Sequence, residues 1–141
     1  MIPRTALIAS EAFQGLSAER VASAIARGLT ARGWPTDLCP VVREDDLNEL
    51  LEELDFDPRM RRARAVVLAA RRLADPTPAA GHTFAFEIAT RARQAGVPAY
   101  AVTAENMLDL FDARILDLQV IIPASSARAL TAAGRTLAGL L

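Results

Sequence analysis

Seven residues of this chain pair reactive side chains with places where such side chains can be presented: Glu11, Gln14 and Gly15, then Arg71 and Arg72, then His82 and Ser125. Glu11 can accept a hydrogen bond from a substrate hydroxyl or ligate magnesium, and it also suits a solvated turn. Gln14 offers an amide without charge, and Gly15 serves the turn itself. Arg71 and Arg72 can hold a carboxylate or phosphate through paired N–H groups, or pair with nearby acids. His82 is the only histidine; it can carry a proton near neutral pH or cap and pack a helix start. Ser125, with Ser126, can cap a helix or place an anion at its N-terminus. No spacing of His, Cys, Asp and Glu reads as a metal site, and no nucleophile stands beside a base.

Composition narrows the chemistry further. All 16 basic residues are arginine, so a mechanism that needs a lysine amine would draw it from another chain. Net charge is −1, without a basic stripe or a run of aromatics, which argues against nucleic acid as partner. The single cysteine, Cys39, excludes an internal disulfide and reads as a buried filler in an apolar strand. No apolar run reaches membrane-span length and the first residues lack a signal-peptide layout, so a cytoplasmic location is expected, with no membrane partner. With 141 residues, 52% of them apolar, the chain is expected to form a single domain spanning 1–141 around a packed core.

The elements that must position these residues alternate. Thr5 to Ala9 reads as a buried strand, Ser10 to Leu16 as a turn, and Ser17 caps a helix carrying Val21, Ala22, Ile25 and Leu29 at helical spacing, with Gly33 just beyond. Thr36 to Val42 is a second strand. Leu47, Leu50, Leu51 and Leu54 mark a helix opened by Glu44-Asp45-Asp46, and Asp57-Pro58 opens a short helix through about Ala63. Ala65 to Ala69 is a third strand, and Ala70 to Gly81, rich in proline and arginine, reads as an irregular loop. A helix from Thr83 to Ala95 ends at Gly96-Val97-Pro98, and Ala99 to Thr103 is a fourth strand. A helical segment begins near Glu105 with Met107, Leu108 and Phe111, Leu118 to Ile122 is a fifth strand, and a last helix starts at Ser125 or Ser126. Such alternation calls for an α/β fold: a five-stranded parallel sheet with helices on both faces, a Rossmann-like three-layer sandwich with flavodoxin-like order. In that architecture the seven residues gather at the carboxyl ends of the strands.

The first strand, turn and helix resemble the opening of the two-domain bacterial glycerate kinases, whose strand runs into PDSFKG and a helix of the type LSAxEVAxAIAxGL. Here Ser10-Glu11-Ala12-Phe13-Gln14-Gly15 stands at the turn and Leu16-Ser17-Ala18-Glu19-Arg20-Val21-Ala22-Ser23-Ala24-Ile25-Ala26 at the helix. Arg72, Leu73, Gly81 and Ala95-Gly96-Val97-Pro98-Ala99 resemble the family's later GEGRLD, GKAP and AGVPV segments. The acid and lysine of the turn are replaced by Glu11 and Gln14, and the family's DGGEGT loop and long central region have no counterpart. Arg43-Glu44-Asp45-Asp46 stands there instead.

The resemblance implies a truncated, motif-degenerate glycerate-kinase-like domain, a pseudoenzyme acting through association with itself or a partner protein. Two alternatives stand beside it. One is a binding module for a small hydroxy acid or nucleotide; the other is a residual kinase completed by a partner chain. No resident cofactor is expected, and ATP with magnesium only if kinase activity survives.

Overall fold

The computed structural model describes residues 4–42, 46–74 and 84–141. Five parallel strands stand in the order β2-β1-β3-β4-β5. They are β1 (Ala6–Ser10), β2 (Thr36–Pro40), β3 (Ala65–Leu73), β4 (Ala99–Asn106) and β5 (Leu118–Pro123). The helices are α1 (Ala18–Thr30), α2 (Leu47–Glu53), α3 (Phe56–Arg62), α4 (Phe84–Ala95), α5 (Leu110–Leu116) and α6 (Ala127–Ala138). This is the flavodoxin-like α/β arrangement that the alternating pattern calls for.

Strand alternation divides the core. Leu7 and Ala9 of β1 with Val66 and Leu68 of β3 face α2, α3 and α4, where Phe56, Met60 and Ile88 complete one cluster. Ala6 and Ile8 with Val67 and Ala69 face α1 and α6, where Ile25, Leu29, Leu130 and Leu137 complete the other. Every residue of β1 is buried, which is why this strand reads as an unbroken apolar run rather than an alternating one. Full burial of each large aliphatic side chain contributes about 1.5–3 kcal/mol.

On the second face α1 and α6 meet backbone to backbone. Gly28 and Gly134 lie at the crossing, and the Thr131 hydroxyl donates to the Ala24 carbonyl at 2.9 Å. Trp34 covers the edge of that cluster and donates from Nε1 to the Ala138 carbonyl at 3.0 Å.

Several boundaries differ from the sequence reading. β3 runs four residues further, through Leu73, because β4 also runs on to Asn106 and the two continue their ladder with Arg72 opposite Glu105 and Leu73 opposite Asn106. Glu105 and Asn106 are therefore strand residues rather than the start of a helix, and α5 begins only after Asp109, whose carboxylate accepts from the Asp112 N–H at 2.8 Å. α3 starts two residues early, after Asp55 in a left-handed conformation with φ 59°, which leaves Asp57 and Pro58 inside its first turn. Of the two serines offered for the start of the last helix, Ser126 caps it.

Cys39 is fully buried, as expected of a filler. Burial pushes its thiol pKa up, against a smaller downward pull from Arg59. An acid whose pKa is higher folded than unfolded gives stability that is complete below the unfolded value and is lost as pH rises through the folded one. Native protein should therefore be inert to a thiol reagent at neutral pH and react fully in denaturant. Its stability should fall more steeply above roughly pH 8.5 than that of Cys39→Ala; equal slopes would remove the thiol as the cause.

Candidate functional site

The order β2-β1-β3 places a topological switch point between β1 and β3, where an open parallel sheet offers a crevice at the carboxyl ends of its strands. Glu11 spans that crevice. Its backbone N–H donates to the Ala69 carbonyl at 3.1 Å, and its Oε1 accepts from the Arg71 N–H at 2.6 Å. The carboxylate thus satisfies the β3 backbone where β1 has ended, which helps carry β3 through Arg71.

The turn behind Glu11 is closed on itself. Phe13 and Leu16 exchange both backbone hydrogen bonds, at 3.2 and 3.0 Å, around Gln14 and Gly15. Both tip residues have positive φ, 56° and 78°, the two-residue hairpin geometry for which glycine at the second place is apt. Buried Phe13 anchors the turn against α1. Ser10, fully buried, donates to the Ala18 carbonyl at 2.7 Å and ties β1 to α1. Ser17 caps α1 by accepting from the Arg20 N–H at 3.2 Å.

Of the seven residues named from sequence, Glu11, Gln14, Gly15, Arg71 and Arg72 come to this edge of the sheet, and Glu11 meets the Arg71 backbone directly. Arg71 and Arg72 are both exposed and consecutive in an extended strand, so their side chains diverge. Ser125 is exposed on the turn after β5, where the neighbouring Ala124 N–H donates to the Thr103 carbonyl at 2.8 Å. His82 lies outside the described residues.

The sequence reading did not single out the apolar rim at the same edge. Met107 follows β4 directly, its N–H donating to the Leu73 carbonyl at 2.7 Å. Beside it Met107, Leu110 and Phe111 are 54%, 83% and 70% exposed. The available signal was Met-Leu-Asp-Leu-Phe, 107–111, in which apolar residues exceed what one buried face of a short helix can take up. Across two strand spacings, roughly 10 Å, the edge therefore runs from the polar Glu11–Arg71 closure to an apolar shelf.

The first loop offers an anion little. The Phe13 and Leu16 amides are spent on each other, Ser10 and Ser17 are spent on α1, and the loop offers a carboxylate rather than hydroxyls. An anion placed on it would face Glu11.

No family model matches this sequence, and no curated protein is significantly similar to it. Solved structures do match. A diflavin flavoprotein A3 from Nostoc sp. superposes with a TM-score of 0.51 at 18% identity, covering 99% of this chain and 94% of that one. The flavodiiron protein from Giardia intestinalis superposes with a TM-score of 0.53 at 15% identity, covering 97% of this chain and 35% of that one. At such identities the shared property is the fold.

These findings correct the glycerate-kinase resemblance, the pseudoenzyme reading drawn from it, and the expectation of no resident cofactor or of ATP with magnesium. The physical reasons lie in the same residues. Arg71-Arg72-Leu73, matched to a glycine-rich kinase loop, is regular strand, and the segment matched to PDSFKG is a self-closed hairpin. The helix pattern LSAxEVAxAIAxGL is what any capped amphipathic helix packed on a sheet would show. Among the described residues no group of His, Cys, Asp and Glu could hold a metal ion, and no helix is long and apolar enough to cross a membrane.

Proposed function

We propose that this domain is a small-molecule binding module for a planar aromatic ligand of the flavin class, seated at the carboxyl edge of β3 and β4. The observation that supports it most is the exposed Met107, Leu110 and Phe111 shelf at the strand ends. The two matched structures are of a diflavin flavoprotein and a flavodiiron protein, which agrees with this choice among planar ligands. Met107 and Leu110 give apolar contact and Phe111 an aromatic face. Arg72 and Glu105, opposite each other on β3 and β4, give polar groups for the ring's hydrogen-bonding edge. A bound flavin would supply electron-transfer chemistry; the chain's part is to hold and orient it and to keep water from one face.

The test is fluorescence titration with riboflavin and with its 5′-phosphate. Since the first loop offers phosphate little, the two should bind within about threefold of each other, and Phe111→Ala should weaken both about tenfold, the scale of one aromatic stacking contact. Absence of binding by either, or binding indifferent to Phe111→Ala, would overturn the proposal.

A further inference from the structure

The net charge of −1 conceals a strongly uneven distribution. Residues 17–33 and 124–141, which contain α1 and α6, carry five arginines and one glutamate. Residues 44–57, which contain α2, carry eight acids and no base. The core clusters place α1 and α6 on one face of the sheet and α2 on the other. α3 has Arg59, Arg61 and Arg62 in its last turn, so the acidic pole is α2 itself and not the whole face.

On the basic side the arginines line a continuous groove. One stretch, of about 480 Å³, is lined by Arg27, Ala127, Arg128, Thr131 and Arg135. The adjoining stretch, of about 290 Å³, shares Arg27 and Ala127 and adds Arg20 and Ser23 together with one acid, Glu19, so four arginines face a single carboxylate along the groove. Each helix carries its arginines seven residues apart, roughly 10.5 Å along the axis. All four are exposed, and none makes an ion pair or side-chain hydrogen bond among the described residues. Arg59 and Arg91, by contrast, are each held by several partners. Arg20 and Arg128 also lie in the first turns of their helices, where the macrodipole disfavours a cation. Local structure does not account for them.

We propose that the α1/α6 groove docks the acidic α2 of a second copy of this chain, joining copies head to tail. Charge complementarity is present at both ends of the same molecule. Asp46, Glu49 and Glu52 are exposed, and their carboxylates make no ion pair or hydrogen bond with described residues, leaving their charges for a neighbour. A two-fold arrangement through the groove would set arginine against arginine and is opposed by repulsion. Nucleic acid is the poorer occupant, since no aromatic side chain lines the groove for a base to stack on. Exposed ion pairs are individually weak, so the association belongs to low ionic strength and high protein concentration.

Sedimentation equilibrium of the whole chain at about 0.01 M and about 0.15 M salt tests this, because the screening length falls from about 30 to about 8 Å between them. Mass should rise with concentration at low salt and far less at the higher one. Arg27→Gln/Arg128→Gln and Glu49→Gln/Glu52→Gln, all at exposed positions, should each weaken association by roughly two- to thirtyfold, the sum expected of two surface pairs. Mixed in equal amounts, the two variants should form a dimer that stops at two, because each retains one intact pole. A strict monomer at low salt, association indifferent to either variant, or a mixture that stays monomeric would overturn the proposal. So would arginine-dependent binding of a DNA duplex by a chain that does not self-associate.

Discussion

Gly134→Ala should destabilise the fold by about 3 kcal/mol or more, despite adding the best helix former to the middle of a helix. A Cβ at Gly134 would drive into the Ile25 carbonyl and approach the Gly28 Cα and Leu29 N to 3.1 Å each. The same atom at Gly28 would overlap the Thr131 carbonyl and come within 2.7 Å of the Arg135 N. Obstacles of this kind are backbone, which cannot swing aside as a side chain would. The helices must separate, and the cluster of Ile25, Leu29, Leu130 and Leu137 between them and the sheet loosens with them. Helix propensity alone would favour alanine by about 1 kcal/mol, so the sign of the change reports the crossing. Gly139→Ala is the control, since its Cβ would meet only the Thr136 carbonyl at an ordinary 3.6 Å and its φ is −79°. It should be neutral or stabilising by about 0.4–1 kcal/mol. Thermal denaturation distinguishes them: a fall in Tm of about 12 °C or more for Gly134→Ala is expected, and an unchanged Tm would refute the close crossing.

What the sequence disclosed and what it hid divide by range of interaction. Ser17 as a cap, the 3.6-residue period of α1 and the apolar runs of β1 and β5 are local signals, and they suffice for a five-stranded α/β sheet. The extension of β3 through Arg71 and Arg72 is not local. It rests on β4 being equally long and on Glu11, 60 residues away, satisfying the Arg71 N–H. Nothing in the composition of Ala70 to Gly81 announces a strand. The pairing of Gly28 with Gly134 is likewise invisible until α1 and α6 are known to touch.

The same reasoning applies to the side chains at the candidate site. Arg71 and Arg72 invite a two-pronged clamp on paper, but a strand backbone sends consecutive side chains apart. Met107, Leu108 and Phe111 read as part of a helical segment from near Glu105, but with β4 running to Asn106 the helix starts at Leu110, so Met107 precedes it and Leu110 and Phe111 stand exposed in its first turn. In both cases one boundary moved by three or four residues changes what the side chains can do.

Arg59→Ala should cost about 2 kcal/mol, a fall in Tm of roughly 8 °C for a chain of this size. Arg59 docks α3 onto the edge strand β2. Its Nε and Nη2 donate to the two Asp37 carboxylate oxygens at 3.0 and 2.6 Å, Nη2 also donates to the Leu38 carbonyl at 2.7 Å, and Nη1 to the Leu54 carbonyl at 2.8 Å. The hydrogen bonds to Asp37 hold the guanidinium above its already high usual pKa, against the opposing effect of burial, so the group stays charged at any pH at which the protein folds. Both side chains are partly exposed, 20% for Arg59 and 32% for Asp37, and solvent screening keeps the value below that of a buried pair. Geometry supplies what charge alone does not. A lysine ammonium is a point donor on a flexible stem and cannot reach both Asp37 oxygens and two carbonyls at once, so Arg59→Lys should recover less than half of the loss. Full rescue by lysine would mean that charge, not the planar fork, joins α3 to β2; an Arg59→Ala variant within about 0.5 kcal/mol of the parent would mean that the ladder to β1 and the packing of Leu38 and Cys39 suffice to hold β2.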